Sequence, residues 1–142
     1  MTNEEKTAAI ESITPLMLKG YHCTEAMIVA LGDLILGEVP ELLVRTATGF
    51  SGGVGSTHQE MCGALVGGLM LINAKYGRSH YSEDDSRSYN LSKRFLQQFE
   101  QEFSAVSCEH VREQLPGMGY SSCKYFVPLV AALLLDMLEN ES

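Results

Sequence analysis

Cys23, Cys62, Cys108 and Cys123 are the residues of this 142-residue chain whose type points most directly to chemistry. A cysteine thiolate binds metals, attacks disulfides and carries redox reactions. The surrounding pattern places each of the four in the opening turn of a helix, where aligned peptide dipoles favour negative charge and hence the thiolate. Gaps of 38, 45 and 14 residues separate them. No Cys-x-x-Cys pair results, so the thioredoxin-like motif is absent, as is the clustered spacing of zinc fingers and bacterial ferredoxins. A site that uses all four must be assembled by the fold. Four converging thiolates would suit an iron–sulfur cluster or a zinc ion, and two pairs would suit reversible disulfides. The inert reading is four small buried apolar side chains, a common fate of free cysteine.

Around Cys62 the signal is sharper. Met61-Cys62-Gly63-Ala64-Leu65-Val66-Gly67-Gly68 places three glycines in a predicted helix. At about 1 kcal/mol each relative to alanine, they would cost roughly 2–3 kcal/mol together. Close approach of a neighbouring helix is the first explanation for Gly63 and Gly67, and close approach of a cofactor beside Cys62 is the second. Just upstream, residues 49–57 hold four glycines in a loop that lacks both the Gly-Lys-Ser/Thr ending of a P-loop and a preceding strand. It reads as a tight turn that sets the angle of the Cys62 helix. His22, His58 and His110 each lie within four residues of a cysteine and read as surface or capping residues before ligands, while His80 sits in a loop. The Glu100/Glu102 and Glu139/Glu141 pairs read as solvated faces, and the methionines as core.

The elements that must position these residues are helical nearly throughout. Thr2 or Asn3 caps a first helix through Ile13; Pro15 kinks it or opens a continuation capped by Thr14, and Gly20 ends it. A second helix spans about Cys23 to Leu36, and a third about Pro40 to Thr48. A fourth covers about Gln59 to Lys75. Ser82 caps a long helix to about Phe103, with Glu83, Asp84 and Asp85 in its first turn and Leu91, Phe95, Phe99 and Phe103 as its inner stripe. Ser107 caps a short helix from Cys108 to Leu115. Ser121 or Ser122 caps the last, to about Leu138. Pro128 either kinks that helix or marks its true start, which leaves Cys123 in a preceding turn. The expectation is an all-α, compact multi-helix bundle, a single domain over residues 1–142.

Composition narrows the partners. A net charge of −8 with ten scattered Lys and Arg gives no basic stripe for nucleic acid and disfavours anionic membranes. The longest apolar run, Tyr125 to Leu135, is too short to span a bilayer. The polar, acidic start reads as leading straight into a helix with no secretory signal, so the expected setting is the cytoplasm, where stable disulfides are rare. A symmetric homodimer is the commonest assembly for such a chain. No Gly-x-Ser-x-Gly, His-Glu-x-x-His or dinucleotide fingerprint is present, so hydrolase and nicotinamide-dependent readings have no support.

Taken together, these residues resemble the C_GCAxxG_C_C family of redox-active proteins. Cys62-Gly63-Ala64-Leu65-Val66-Gly67 supplies the central Cys-Gly-Ala-x-x-Gly element, with Cys23 as the first cysteine and Cys108 and Cys123 as the third and fourth. The resemblance runs from Gly20 to the last helix. Family members are similar to the cluster-bearing part of split-Soret cytochromes, and their genes often lie near oxidoreductases or transporters. The resemblance therefore implies a redox or electron-transfer protein with an unidentified redox partner. Cys23, Cys62, Cys108 and Cys123 would be its iron–sulfur ligands, and the Gly63/Gly67 face would lie against the cofactor. No haem-binding Cys-x-x-Cys-His is present. Thiol–disulfide chemistry is the second reading, and a structural zinc or a simple helical interaction module the third. An oxygen-sensitive cluster would be open to loss in purification, leaving free thiols or adventitious disulfides.

Overall fold

The computed structural model describes residues 1–141. Seven α-helices connected by turns account for most of them, and the described residues form no strand beyond one isolated bridge. The all-α expectation holds. Helix α1 (Asn3–Lys19) starts on a capping box, with the Glu5 amide donating to Thr2 Oγ1 at 3.1 Å and the Thr2 amide donating to the Glu5 carboxylate at 2.8 Å. It runs unbroken through Pro15 to Gly20, whose φ of +122° ends it. Helix α2 (Cys23–Leu36) matches its predicted span, and α3 (Glu41–Ala47) passes into a 3-10 turn at Thr48–Phe50.

Two helices start later than their patterns suggest. Helix α4 is Gly63–Tyr76, because residues 58–62 pair instead with residues 106–109. The Cys62 amide donates to the Val106 carbonyl at 2.7 Å, the Cys108 amide to Glu60 at 2.8 Å, and the Glu109 amide to His58 at 2.8 Å. Gly63 is thus the first residue of its helix rather than an interior one, which removes most of its expected cost. Helix α5 is Ser86–Phe103. Of the three acids assigned to its first turn, Asp84 lies just outside and accepts from the Ser86 amide at 3.1 Å. Glu83 instead accepts the Ser79 and His80 amides at 2.7 and 2.8 Å, folding the loop before the helix. Helix α6 (Cys108–Gln114) is capped by Ser107 as expected. Helix α7 is Val127–Glu139, with Pro128 in its first turn, so Cys123 sits in a separate 3-10 turn, Cys123–Tyr125.

The core forms where α4, apolar around most of its circumference, is enclosed by α2, α5 and α7. Leu91, Phe95, Phe99 and Phe103 of α5 are all buried, as the i+4 stripe predicts. Phe126 closes the end of the core, its ring 4.9 Å from that of Phe103 in an edge-on contact. Glu139 and Glu141, expected to be merely solvated, pair with Lys6 and Arg94 and tie α7 to α1 and the turn after α7 to α5. Among the described residues no helix is long and apolar enough to cross a membrane.

Candidate functional site

Three cysteines sit at α-helix starts. Cys23 is the first residue of α2, Cys62 caps α4, and Cys108 is the first residue of α6. Cys123 instead opens the 3-10 turn ahead of α7. The fold brings all four, from 100 residues of sequence, to the wall of one cavity of about 380 Å³. All four are free thiols; Cys62 and Cys108 are buried, and Cys23 and Cys123 are partly exposed. The rest of the wall is mostly apolar, with Met17, Val111, Phe126 and Val127 contributing. Its charged side chains are Arg112 and Lys124, with no carboxylate among them, in a chain of net charge −8.

Glycine lets backbone reach the sulfurs. A Cβ on Gly63 would collide with Cys23 Sγ, so only glycine can follow Cys62 here. The upstream loop is more unusual than a tight turn. Gly52, Gly53, Val54, Gly55 and Ser56 all have positive φ, between 60° and 67°, as does His58. A run of five such residues makes a left-handed turn, costing roughly 1–2 kcal/mol at each non-glycine position. Within this turn, the Gly52 backbone lies close enough to Cys23 to oppose the rise in its pKa. Gly53 lies against Cys108, where an added Cβ would come within 2.7 Å of Cys108 Cβ. Gly67 faces elsewhere. Its missing Cβ would lie 2.9 Å from Met27 Cβ, which places it at the α2–α4 contact rather than on the cavity wall.

The electrostatics correct one expectation. Helix starts were expected to favour thiolates, yet every one of the four thiols has its pKa raised. Burial is the largest cause throughout. Cys62 is pushed up to about 12, even though the Leu65 and Ala64 amides point at its sulfur. At Cys23 the Gly52 and Thr24 amides oppose burial without overcoming it. At Cys108 the proximity of Cys23 adds to burial, while Arg112 opposes through its charge and a hydrogen bond. Cys123 is raised by burial and by Cys23 and Cys108, with Arg112 opposing and no hydrogen bond to help. The sulfurs therefore sense one another, and in the absence of a compensating cation they hold their protons.

Arg112 is the residue that the sequence reading missed. It lies four positions after Cys108 on α6, the spacing that puts two side chains on one helix face, and that spacing was the available signal. Its guanidinium also contacts His58. Of the other histidines, His22 lines the cavity, His110 Nδ1 lies 2.9 Å from Ser107 Oγ, and His80 bonds Ser82 in a distant loop. Among the described residues no group of three or more His, Cys, Asp or Glu side chains is gathered tightly enough to hold a single metal ion.

Comparison with known proteins places the chain in a family. A family model described as "Putative redox-active protein (C_GCAxxG_C_C)" matches residues 21–137, which include all four cysteines. That description writes its central element glycine-first, whereas here cysteine comes first, as Cys62-Gly63-Ala64. No curated protein and no solved structure matches the chain.

Proposed function

The chain belongs to the C_GCAxxG_C_C family, and from that premise we propose that Cys23, Cys62, Cys108 and Cys123 together hold an iron–sulfur cluster in a redox or electron-transfer protein. The observation that carries this reading is the single cavity whose wall takes one cysteine from each of four separate elements. Thiolates are the ligands such clusters use. The cavity has more than ten times the roughly 30 Å³ share of one liquid water, so it offers room for a multi-atom group.

The chain's own groups fit the role. Arg112 and Lys124 supply positive charge beside a four-thiolate group of net negative charge. Backbone amides of Gly52, Thr24, Ala64 and Leu65 favour negative charge on Cys23 and Cys62 and would tune the electron density of their sulfurs. The apolar wall limits water. A bound cluster would supply one-electron transfer at a potential set by those hydrogen bonds, the net charge and solvent access.

Anaerobic reconstitution with ferrous iron and sulfide tests the assignment by bound iron, acid-labile sulfide and visible absorbance. The wild-type chain is expected to take up both, and each single Cys→Ser variant is expected to lose most of that uptake. A fully reduced wild-type protein that takes up neither would overturn the reading.

A further inference from the structure

The four cysteines are not held alike. Cys62 and Cys108 are strapped together by backbone: Cys62 N–H to the Val106 carbonyl, and Cys108 N–H to the Glu60 carbonyl. Cys23 is packed against the same block, because its sulfur fills the space that a Cβ on Gly63 would take. The left-handed turn is joined in by the His58 amide, which donates to the Gly52 carbonyl at 2.9 Å. These three cysteines thus share one backbone-bonded unit.

Cys123 stands outside that unit. It lies on the arm between α6 and α7, residues 115–126, which contains two short 3-10 turns and no α-helix. Gly117 has no neighbour where a Cβ would sit, and Gly119 has a φ of +83° with equally open surroundings. The hydrogen bonds of Lys124, Tyr125 and Phe126 amides run back to Ser122 and Cys123 within the arm. Among the described residues one hydrogen bond ties residues 121–125 to another element: Thr14 Oγ1 of α1 donates to the Lys124 carbonyl at 2.7 Å. That carbonyl belongs to the residue directly after Cys123.

We propose that the site is built as three fixed cysteines and one movable one, and that Thr14 is the positioning residue that latches the Cys123 arm closed against α1. This rests on the four-cysteine site just described and adds how its fourth member is controlled. Releasing the latch lets Cys123 swing away from the three fixed sulfurs while they stay in place. Thr14 is not among the residues that line the cavity, so its effect passes through the arm.

Differential alkylation of the reduced, metal-free full-length chain reads this directly, whether or not a cluster can be loaded. The native protein is exposed to iodoacetamide, unreacted thiols are labelled after denaturation, and mass spectrometry gives a rate for each cysteine. Thr14→Val is expected to raise the Cys123 rate about fivefold, the population shift that one net hydrogen bond commands. Rates at Cys23, Cys62 and Cys108 should stay unchanged, and Thr14→Ser should restore the wild-type rate. If Thr14→Val does not fold, Gly119→Ala strains the same arm at its positive φ and carries the same expectation for Cys123. Equal acceleration of all four cysteines, or none at Cys123, would overturn the latch. Failure of iron loading would instead bear on the cluster alone.

Discussion

Gly63 opens α4 and Gly68 lies five residues on, and each leaves out a side chain for which there is no room, yet the helix's cysteine end and its stretch inside the core use that room differently. At the cysteine end the space is taken by Cys23 Sγ, among backbone segments strapped to one another. At the core end it is taken by the Phe95 ring, with a Cβ on Gly68 falling 2.7 Å from its Cζ, among apolar side chains. Close packing thus serves two purposes on one helix. Near Gly68 the approach contributes to stability through buried area. Near Gly63 it brings backbone to a sulfur and so fixes the site. If this division is right, the same glycine-to-alanine change should harm different properties at the two ends. Gly63→Ala is expected to displace Cys23 and cost about 10–100-fold in iron affinity, the usual scale for disturbing a ligand's support. Gly68→Ala should lower unfolding stability by about 1–3 kcal/mol, the range for overpacking, while the folded protein still takes up iron. Urea unfolding and iron uptake measured on both variants separate the cases. A Gly63→Ala protein that loads iron like the wild type would dissolve the distinction.

The second contrast is electrostatic. The core end holds no titratable cysteine, whereas the site holds four thiols whose protons burial retains. For Cys62 the ordinary value of 9.0 rises to about 12 in the folded protein. Above about pH 9 the unfolded chain loses that proton while the folded chain keeps it, so the unfolded state binds fewer protons. Stability of the metal-free protein should therefore fall as pH rises above 9, by at most about 1.4 kcal/mol per pH unit from Cys62, and level off once the folded thiol ionises. Cys23, Cys108 and Cys123 shift in the same direction and should steepen the fall. Chemical denaturation across the alkaline range checks the slope, and Cys62→Ala should flatten it. An unchanged slope in that variant would mean that Cys62 does not hold its proton in the folded state.

The core end was the more legible of the two in sequence. The Leu91, Phe95, Phe99, Phe103 stripe and the span of α2 follow from helical periodicity, a local property that the fold did not override. The cysteine end was legible in its parts and not in its joints. The cysteines and Gly63 could be singled out, but the start of α4 was placed about four residues early. Residues 58–62 carry a helix-compatible pattern, and only their pairing with residues 106–109, some 45 positions away, withholds them from the helix. The raised thiol pKa values escaped for a related reason. A helix start is visible in sequence, whereas burial depends on what else arrives around it, and burial is the larger effect here. Arg112 was visible only as an i+4 neighbour of a cysteine, a spacing that scattered charges also produce by chance.

The smallest expected effect tests whether the left-handed turn matters for its shape or for its contacts. Gly53 and Gly55 have nearly the same φ, +67° and +61°, so alanine at either position carries a similar backbone cost of roughly 1–2 kcal/mol. Their surroundings differ. A Cβ at Gly53 would lie 2.7 Å from Cys108 Cβ and 2.9 Å from His58 Cα, whereas a Cβ at Gly55 has nothing within 4 Å. Gly55→Ala should therefore lower stability by about that backbone cost alone and leave iron uptake and the Cys108 alkylation rate at wild-type values. Gly53→Ala should lower stability further and change both. Because the two variants share their backbone penalty, the difference between them isolates the contacts with Cys108 and the His58 backbone. Were Gly55→Ala to impair iron uptake as much as Gly53→Ala, the handedness of the turn rather than its touch on Cys108 would be what holds the sulfurs, since only the backbone conformation is common to both positions.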